Sequence, residues 1–153
     1  MTQEDKELLL KDLSGRLPYG VKVEYFDLRV EDFCIDVLGA VYPLDEQVFI
    51  GQLPLLSDTS DFDEISLYDN LADVENIKPY LFPSSSMTEE QMEEYKSLCN
   101  KGTSECDLYG IRFVEDYYYD TVESIDYLYK NHIDIRGLIP MGLANDATGL
   151  NIY

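Results

Sequence analysis

The sequence has few of the residues from which nucleic-acid-binding surfaces and histidine metal centres are built. Only 11 of its 153 residues are Lys or Arg, against 31 Asp or Glu, which gives a net charge of -20. Such a surface repels nucleic acid, because binding of nucleic acid draws on basic contacts to phosphate. His132 is the single histidine, so a multi-histidine metal site is excluded. We expect no metal, no cofactor and no direct nucleic-acid binding.

Long apolar runs are absent as well. No stretch approaches the roughly 18 residues that a membrane-spanning helix requires, and "TQEDKELLL" after Met1 lacks the basic and apolar regions of a secretion signal. The three cysteines, Cys34, Cys99 and Cys106, form an odd set without paired short spacing, which suits reduced thiols. These absences predict a protein of the cytoplasm that does not bind membranes.

Recognisable catalytic motifs are missing: the chain contains no GxxxxGK[ST], GxGxxG, GxSxG or HExxH. His132 could pair with Cys99 or Cys106 as a nucleophile dyad, or with both cysteines and a carboxylate around zinc. The alternative is a histidine at a helix end, packed beside Leu128, whose charge the helix dipole favours. We prefer this alternative because neither cysteine lies in a recognisable nucleophile context. We expect the protein not to be an enzyme.

Apolar residues are plentiful enough for a folded core, since 45% of the chain is hydrophobic and 12% is aromatic. We predict a single α+β domain over residues 1–153, with a small antiparallel sheet and about three helices. The first helix is capped by Thr2 and carries a stripe of leucines. Strands are predicted in "VKVEYFD", "FCIDVLGAV" and "QVFIG", the second with Phe33, Ile35 and Val37 on one face.

Cys34 alternates with apolar neighbours in the second predicted strand and is predicted to be a small core residue.

The middle of the chain is more polar and more acidic than the segments on either side. From about residue 52 to 76 the sequence is polar, acidic and broken by Pro54. We predict a long acidic excursion from the domain there, with a short helix near Leu71.

The strongest local signal is "SSSMTEEQMEEYKSLC". Thr88 as N-cap and Gln91 as its reciprocal partner predict a helix over about residues 89–98. The stretch "CNKGTSECD" then predicts a loop, and "LYGIRFV" a strand. Asp120 or Thr121 is expected to cap a further helix through "VESIDYLYKNH".

Three tyrosines stand side by side among acids in "EDYYYD". An extended approach to the following helix would place Tyr117 and Tyr119 on one face and Tyr118 on the other. We expect at least one ring to pack inward and one or two to face a partner. The candidate partner-binding residues combine acids of the excursion with this stretch: Asp58, Asp61, Asp63, Glu64, Asp69, Glu115, Asp116, Tyr117, Tyr118 and Asp120.

Three blocks of the chain resemble a group of small acidic proteins, without assigned activity, from gut Bacteroidales and their phages and mobile elements. They are "MTQEDKELLLKDLSGRLPYGVK", "IKPYLFPSSSMTEEQMEE" and "YLYKNHIDIRGLIPMGLANDATGLNIY", and together they cover somewhat under half of the chain. The resemblance implies a phage or prophage accessory protein in the cytoplasm of a bacterial host. It carries over no catalytic residue. Several relatives differ at Phe82, Ser14 and Gly15, which implies that these residues are not essential to a shared activity.

Taken together, these features predict a non-enzymatic binding protein. Its acidic, tyrosine-containing surface would engage a basic protein partner, for example as a nucleic-acid mimic or an antagonist of host defence. One alternative is a binder of a small ligand such as a signalling nucleotide, with Arg112 and Arg136 as the available cations. Another is a structural or decoration protein of a virion. A homo-oligomer is also compatible with the sequence.

Overall fold

The computed structural model of the chain describes residues 1–51, 70–108 and 111–153, and for residues 104–108 and 111–115 it describes the backbone alone. The described residues form three α-helices and a mixed sheet, together with a separate two-stranded hairpin. The predicted α+β fold class is therefore confirmed. No helix within these ranges has both the length and the apolar character needed to cross a bilayer.

The helices and strands are numbered in chain order. The helices are α1 (Gln3–Arg16), α2 (Glu89–Leu98) and α3 (Val122–Lys130). The strands are β1 (Lys22–Asp27), β2 (Asp32–Tyr42), β3 (Gln47–Ile50), β4 (Leu71–Asp73), β5 (Ile77–Pro83), β6 (Asn100–Leu108), β7 (Ile111–Tyr119), β8 (Ile133–Asp134) and β9 (Asn145–Asp146). Short 3-10 helices lie at Leu17–Tyr19, Val74–Asn76 and Ser84–Ser86.

The main sheet is antiparallel over five strands, in the order β4-β3-β2-β1-β5. At its β5 edge the short strands β8 and β9 add two parallel pairings, so the chain's last part returns to the sheet. Strands β6 and β7 pair only with each other among the described strands. The hairpin consequently stands apart from the sheet.

Helix α1 supplies one wall of the core. Its N-terminus is a capping box, in which Thr2 Oγ1 accepts from the Asp5 amide at 3.2 Å and the Asp5 carboxylate accepts from the Thr2 amide at 2.9 Å. Leu9, Leu10 and Leu13 are buried on the sheet, as the leucine stripe predicts. Apolar side chains of β1, β2, β3 and β5 and of the C-terminal loop complete the core: Val21, Val23, Leu38, Val48, Ile50, Ile77, Leu81, Leu138 and Leu143.

Strand β2 bends where its register to β3 shifts, between Leu38 and Ala40. Gly39 lies at this bulge, and a Cβ there would collide with the carbonyl oxygen of Gly51. A glycine is required because two backbone segments approach each other closely.

A buried ion pair joins α1 to the C-terminal part of the chain. Arg16 donates to the Asp12 carboxylate at 2.6 and 3.2 Å, and both side chains are fully buried. Arg16 also donates to the Ile133 carbonyl at 2.8 Å and lies 4.9 Å from the centre of the Tyr129 ring. Arg136, which the sequence leaves available to an anionic ligand, instead pairs with the Asp12 carboxylate at 3.3 Å and donates to the Tyr129 hydroxyl at 3.0 Å. Its charge is therefore balanced within the fold.

Several local expectations are wrong. The stretch "CNKGTSECD", expected to be a loop, contains most of β6, and the strand expected in "LYGIRFV" is the start of the longer β7. Near Leu71 the chain forms β4 rather than a helix, because it hydrogen-bonds to β3. Cys34 is half-buried rather than a core residue, and Phe33 on the opposite face is 65% exposed.

Candidate functional site

The tyrosine hairpin, β6 and β7 with Asn100–Tyr119 as its limits, carries the predicted tyrosines on its final residues. Each strand has nine residues, with a rise of about 3.4 Å per residue. The open end of the hairpin connects to α2 through Asn100 and to α3 through Tyr119. The three rings are 38%, 41% and 59% exposed for Tyr117, Tyr118 and Tyr119. No ring packs inward, so that expectation is wrong: a two-stranded hairpin has no second layer to cover either face.

The alternation of the tyrosines is confirmed. Tyr117 and Tyr119 share a face and meet edge to face, with ring centres 5.1 Å apart. Their hydroxyls hydrogen-bond, which raises the pKa of Tyr119. Across the ladder Tyr117 pairs with Gly102, where a Cβ would occupy the space of the Tyr117 ring. The Tyr117 ring therefore packs over Gly102, in space that any other residue's side chain would fill.

On the opposite face of the hairpin, two lysines contact an acid and a tyrosine ring. Lys101 pairs with the Asp116 carboxylate at 2.8 Å, and the Lys96 ammonium of α2 lies 5.8 Å from the centre of the Tyr118 ring. At the base, the Tyr95 hydroxyl donates to Asp120 at 2.5 Å, and this bond raises the pKa of Tyr95. Asp116 and Asp120 are therefore partly engaged within the protein, whereas the tyrosines remain accessible.

The structure brings together only part of the predicted site. Asp116, Tyr117, Tyr118 and Asp120 follow one another along β7 into the N-cap of α3, which is Thr121. For Glu115 the backbone alone is described. The remaining predicted residues, Asp58, Asp61, Asp63, Glu64 and Asp69, lie outside the described residues.

A second candidate, the His132 cavity, is one that sequence reasoning missed. It has a volume of about 480 Å³ and lies where the end of β5, the start of α2, the end of α3 and the C-terminal residues converge. Its walls include Phe82 and Tyr153, whose ring centres are 5.9 Å apart, and His132, which stacks on Tyr153 at 3.9 Å with the planes 13° apart.

His132 has an unusual conformation and environment. It follows α3 with φ of +55°, in the left-handed region that non-glycine residues seldom adopt. Its backbone is fixed there, since its amide donates to the Tyr129 carbonyl at 3.0 Å and its carbonyl accepts from the Phe82 amide at 2.9 Å. Burial, and secondly the charge of Arg16, lower the pKa of His132 to about 4. The expectation that the helix dipole favours a charged His132 is therefore wrong.

The nucleophile dyad of the sequence analysis is not formed with Cys99. The Cys99 thiol interacts with the Tyr95 hydroxyl, and Nδ1 of His132 is buried without a hydrogen-bond partner. Cys106 belongs to the strand residues described by backbone only. Within the described ranges, no three side chains from His, Cys, Asp and Glu come together in an arrangement that could hold a metal ion.

Tyr153 anchors the cavity from the C-terminal side. Its hydroxyl donates to the Tyr80 carbonyl at 2.7 Å and accepts from the Lys22 amide at 3.1 Å. The residue is 42% exposed as a whole, whereas burial of the hydroxyl raises its pKa to about 12. The ring is therefore held as a fixed wall.

A larger cavity of about 650 Å³ lies beside β1 and β4. Carboxylates of Glu24, Asp73 and Glu75 belong to its wall, and Lys78 is the one cation among its lining residues. Carboxylates therefore line this cavity, whereas none lines the His132 cavity. The His132 cavity is the better candidate for a ligand.

No family model, curated protein or solved structure matches the chain.

Proposed function

We propose that the protein is a non-enzymatic binding protein whose tyrosine hairpin engages a basic protein partner. One observation carries this proposal: three adjacent tyrosines are exposed on a hairpin that pairs with no other described strand. Tyrosine is enriched in protein interfaces, because its ring contributes apolar area and its hydroxyl a hydrogen bond.

The arrangement of the rings favours binding over chance exposure. Tyr117 is seated on Gly102 and Tyr119 meets it edge to face, so both rings are ordered before any partner arrives. Tyr118 rests near the Lys96 ammonium on the other face. Ordered aromatic side chains lose little conformational entropy on binding, which is the advantage of a preorganised surface.

Charge indicates the chemistry of the partner. The net charge of -20 attracts basic proteins over a distance set by the salt concentration. Next to the hairpin, α2 exposes Glu89, Glu90, Glu93 and Glu94 along its length, and no residue of this helix is buried. A basic surface could therefore contact the tyrosines and these carboxylates together.

The resemblance of three sequence blocks to proteins of gut Bacteroidales and their phages supports a setting for this activity. In that setting the protein is a phage or prophage accessory protein in the cytoplasm of a bacterial host. Its partner is a basic host or phage protein, which it antagonises or recruits. Imitation of nucleic acid is one way to occupy such a partner.

The test is an affinity capture from host lysate, with and without phage infection, washed at low and at high salt. The bait is compared with a variant in which Tyr117, Tyr118 and Tyr119 are all serine, and with Tyr42→Ser as the matched control. Tyr42 is 41% exposed, as Tyr118 is, but lies on β2. We expect one basic protein to be recovered at low salt by the parent and by Tyr42→Ser only. Equal recovery by the triple variant would contradict the proposal.

A further inference from the structure

The His132 cavity has the walls of a site for a flat heterocycle. Three rings, Phe82, His132 and Tyr153, come from β5, from the end of α3 and from the C-terminal residues, and they meet in one place. A volume of about 480 Å³ lies within the range of small-molecule sites, roughly 300–1,000 Å³. Because the rings come from distant parts of the chain, the fold itself builds this aromatic wall.

The cavity is also electrostatically distinct from the rest of the molecule. None of its ten lining residues is Asp or Glu, although 31 of the 153 residues of the chain are acidic. Lys130 lies at its rim, and among the described residues no carboxylate is paired with this ammonium. The wall of the cavity therefore carries one ammonium and no carboxylate that would contact a ligand with negative charge.

One polar group of the cavity wall is available to a ligand, whereas Nδ1 of His132 is buried in the protein and does not reach the cavity. Gln91 uses its side-chain oxygen to cap α2, accepting from the Thr88 amide at 2.9 Å, so its amide NH2 group is left to donate. The Thr148 hydroxyl already donates to the Asp146 carboxylate and lowers the pKa of that group.

The alternative is that His132 serves only to pack the core, and this alternative explains fewer features of the cavity. A packing role explains the stacking on Tyr153, but it does not require an acid-free cavity beside the ring. The left-handed backbone of His132 belongs to the ending of α3, where its amide donates to the Tyr129 carbonyl at 3.0 Å, and Glu31 and Glu46 have the same φ.

We propose that the His132 cavity binds a nucleotide, with the base against Phe82, His132 and Tyr153 and the phosphate at Lys130. Every base presents a flat π-face that stacks on aromatic rings, and its edge carries acceptors that the Gln91 amide group complements. The single ammonium suits a monophosphate better than a triphosphate, because further phosphate charges would find no second described cation in the wall.

The test uses the fact that His132 is the only histidine, so its imidazole signals in an NMR spectrum need no assignment by mutation. The four ribonucleoside 5′-monophosphates and the four nucleosides are titrated separately into the labelled full-length protein. We expect saturable shifts of the His132 signals with at least one monophosphate, and a Kd at least threefold weaker for its nucleoside. Absence of any shift up to about 10 mM of all eight compounds would overturn the proposal.

Variants separate a specific site from weak surface contact. Phe82→Ala is expected to raise Kd about tenfold, since stacking on one aromatic ring contributes that order of affinity, and Phe82→Leu is the second choice if the alanine variant does not fold. Lys130→Gln should remove the preference for the monophosphate over the nucleoside. Lys96→Gln, which changes a lysine on α2 outside the cavity, should leave Kd unchanged. Equal Kd values for the parent, Phe82→Ala and Phe82→Leu would overturn the proposal.

Discussion

At the scale of the residue, His132 is the group whose chemistry the fold changes most. Its pKa falls from an ordinary value of 6.5 to about 4, first because the ring is buried and then because Arg16 is near. A lowered pKa in the folded state means that the unfolded chain binds the proton more tightly. The contribution of His132 to stability is therefore complete above about pH 6.5 and is lost as the pH falls to about 4.

This gives a prediction for His132→Asn, because asparagine tolerates the left-handed backbone and does not titrate. We expect the parent to lose roughly 2–3 kcal/mol more stability than the variant between pH 7 and pH 4. The measurement is urea unfolding of both proteins at several pH values, with direct NMR titration of the imidazole. An imidazole that titrates near pH 6.5 in the folded protein would contradict the account.

The buried pair of Asp12 and Arg16 yields a second prediction at this scale. Asp12→Ala leaves the Arg16 guanidinium buried without its carboxylate, which should cost about 3–5 kcal/mol. Replacing Asp12 by Leu and Arg16 by Met together should recover part of this loss, because the buried Arg16 charge is gone while Arg136, 3.3 Å from Asp12 in the parent, loses its carboxylate. Glu7→Ala, at an exposed position on α1, is the control and should change stability by less than about 0.5 kcal/mol.

The urea unfolding midpoints of these variants measure how much the ion pair of Asp12 and Arg16 contributes to stability. If Asp12→Ala unfolds at the same urea concentration as Glu7→Ala, the ion pair does not hold α1 to the C-terminal part of the chain.

The sequence could not predict this pair or the His132 cavity. Asp12 and Arg16 are four residues apart on a helix, but their shared contact with Ile133 depends on how distant segments pack.

At the scale of the element, capping chemistry was readable from the sequence and the exposed hairpin was not. The boxes Thr88 with Gln91 and Thr2 with Asp5 are set by residues three positions apart, so local spacing is sufficient. Strand β6 contains Gly102 and mostly polar residues, without the apolar alternation of a half-buried strand. Its strand conformation comes from pairing with β7 alone, which a local pattern does not reveal.

The hairpin gives a prediction of its own through Gly102→Val. The new side chain would take the space of the Tyr117 ring and separate it from Tyr119. Since neither ring belongs to the core, we expect a stability change below about 1 kcal/mol and a loss of partner capture. Thr103→Val, at the next and exposed position of β6, is the matched control. Nuclear Overhauser contacts between the two rings that persist in Gly102→Val would refute this role for Gly102.

At the scale of the whole molecule, excess negative charge and an exposed aromatic hairpin act at different distances. The charge of -20 draws in a basic partner and loses its reach as salt is added, because the Debye length shrinks from about 30 Å at 0.01 M to about 10 Å at 0.1 M. The tyrosines act only on contact, since apolar area and hydrogen bonds need direct packing. Salt should therefore change mainly the association rate, and tyrosine substitution the dissociation rate.

The central claim, that the tyrosine hairpin is the partner-binding surface, is tested most directly by photo-crosslinking in cells. A benzophenone amino acid is placed at position 118 in one protein and at position 42 in another, since Tyr118 and Tyr42 are equally exposed at 41%. The account predicts that irradiation links a basic protein to position 118 and not to position 42. Adducts of a basic protein at position 42 with none at position 118 would show that the partner binds elsewhere.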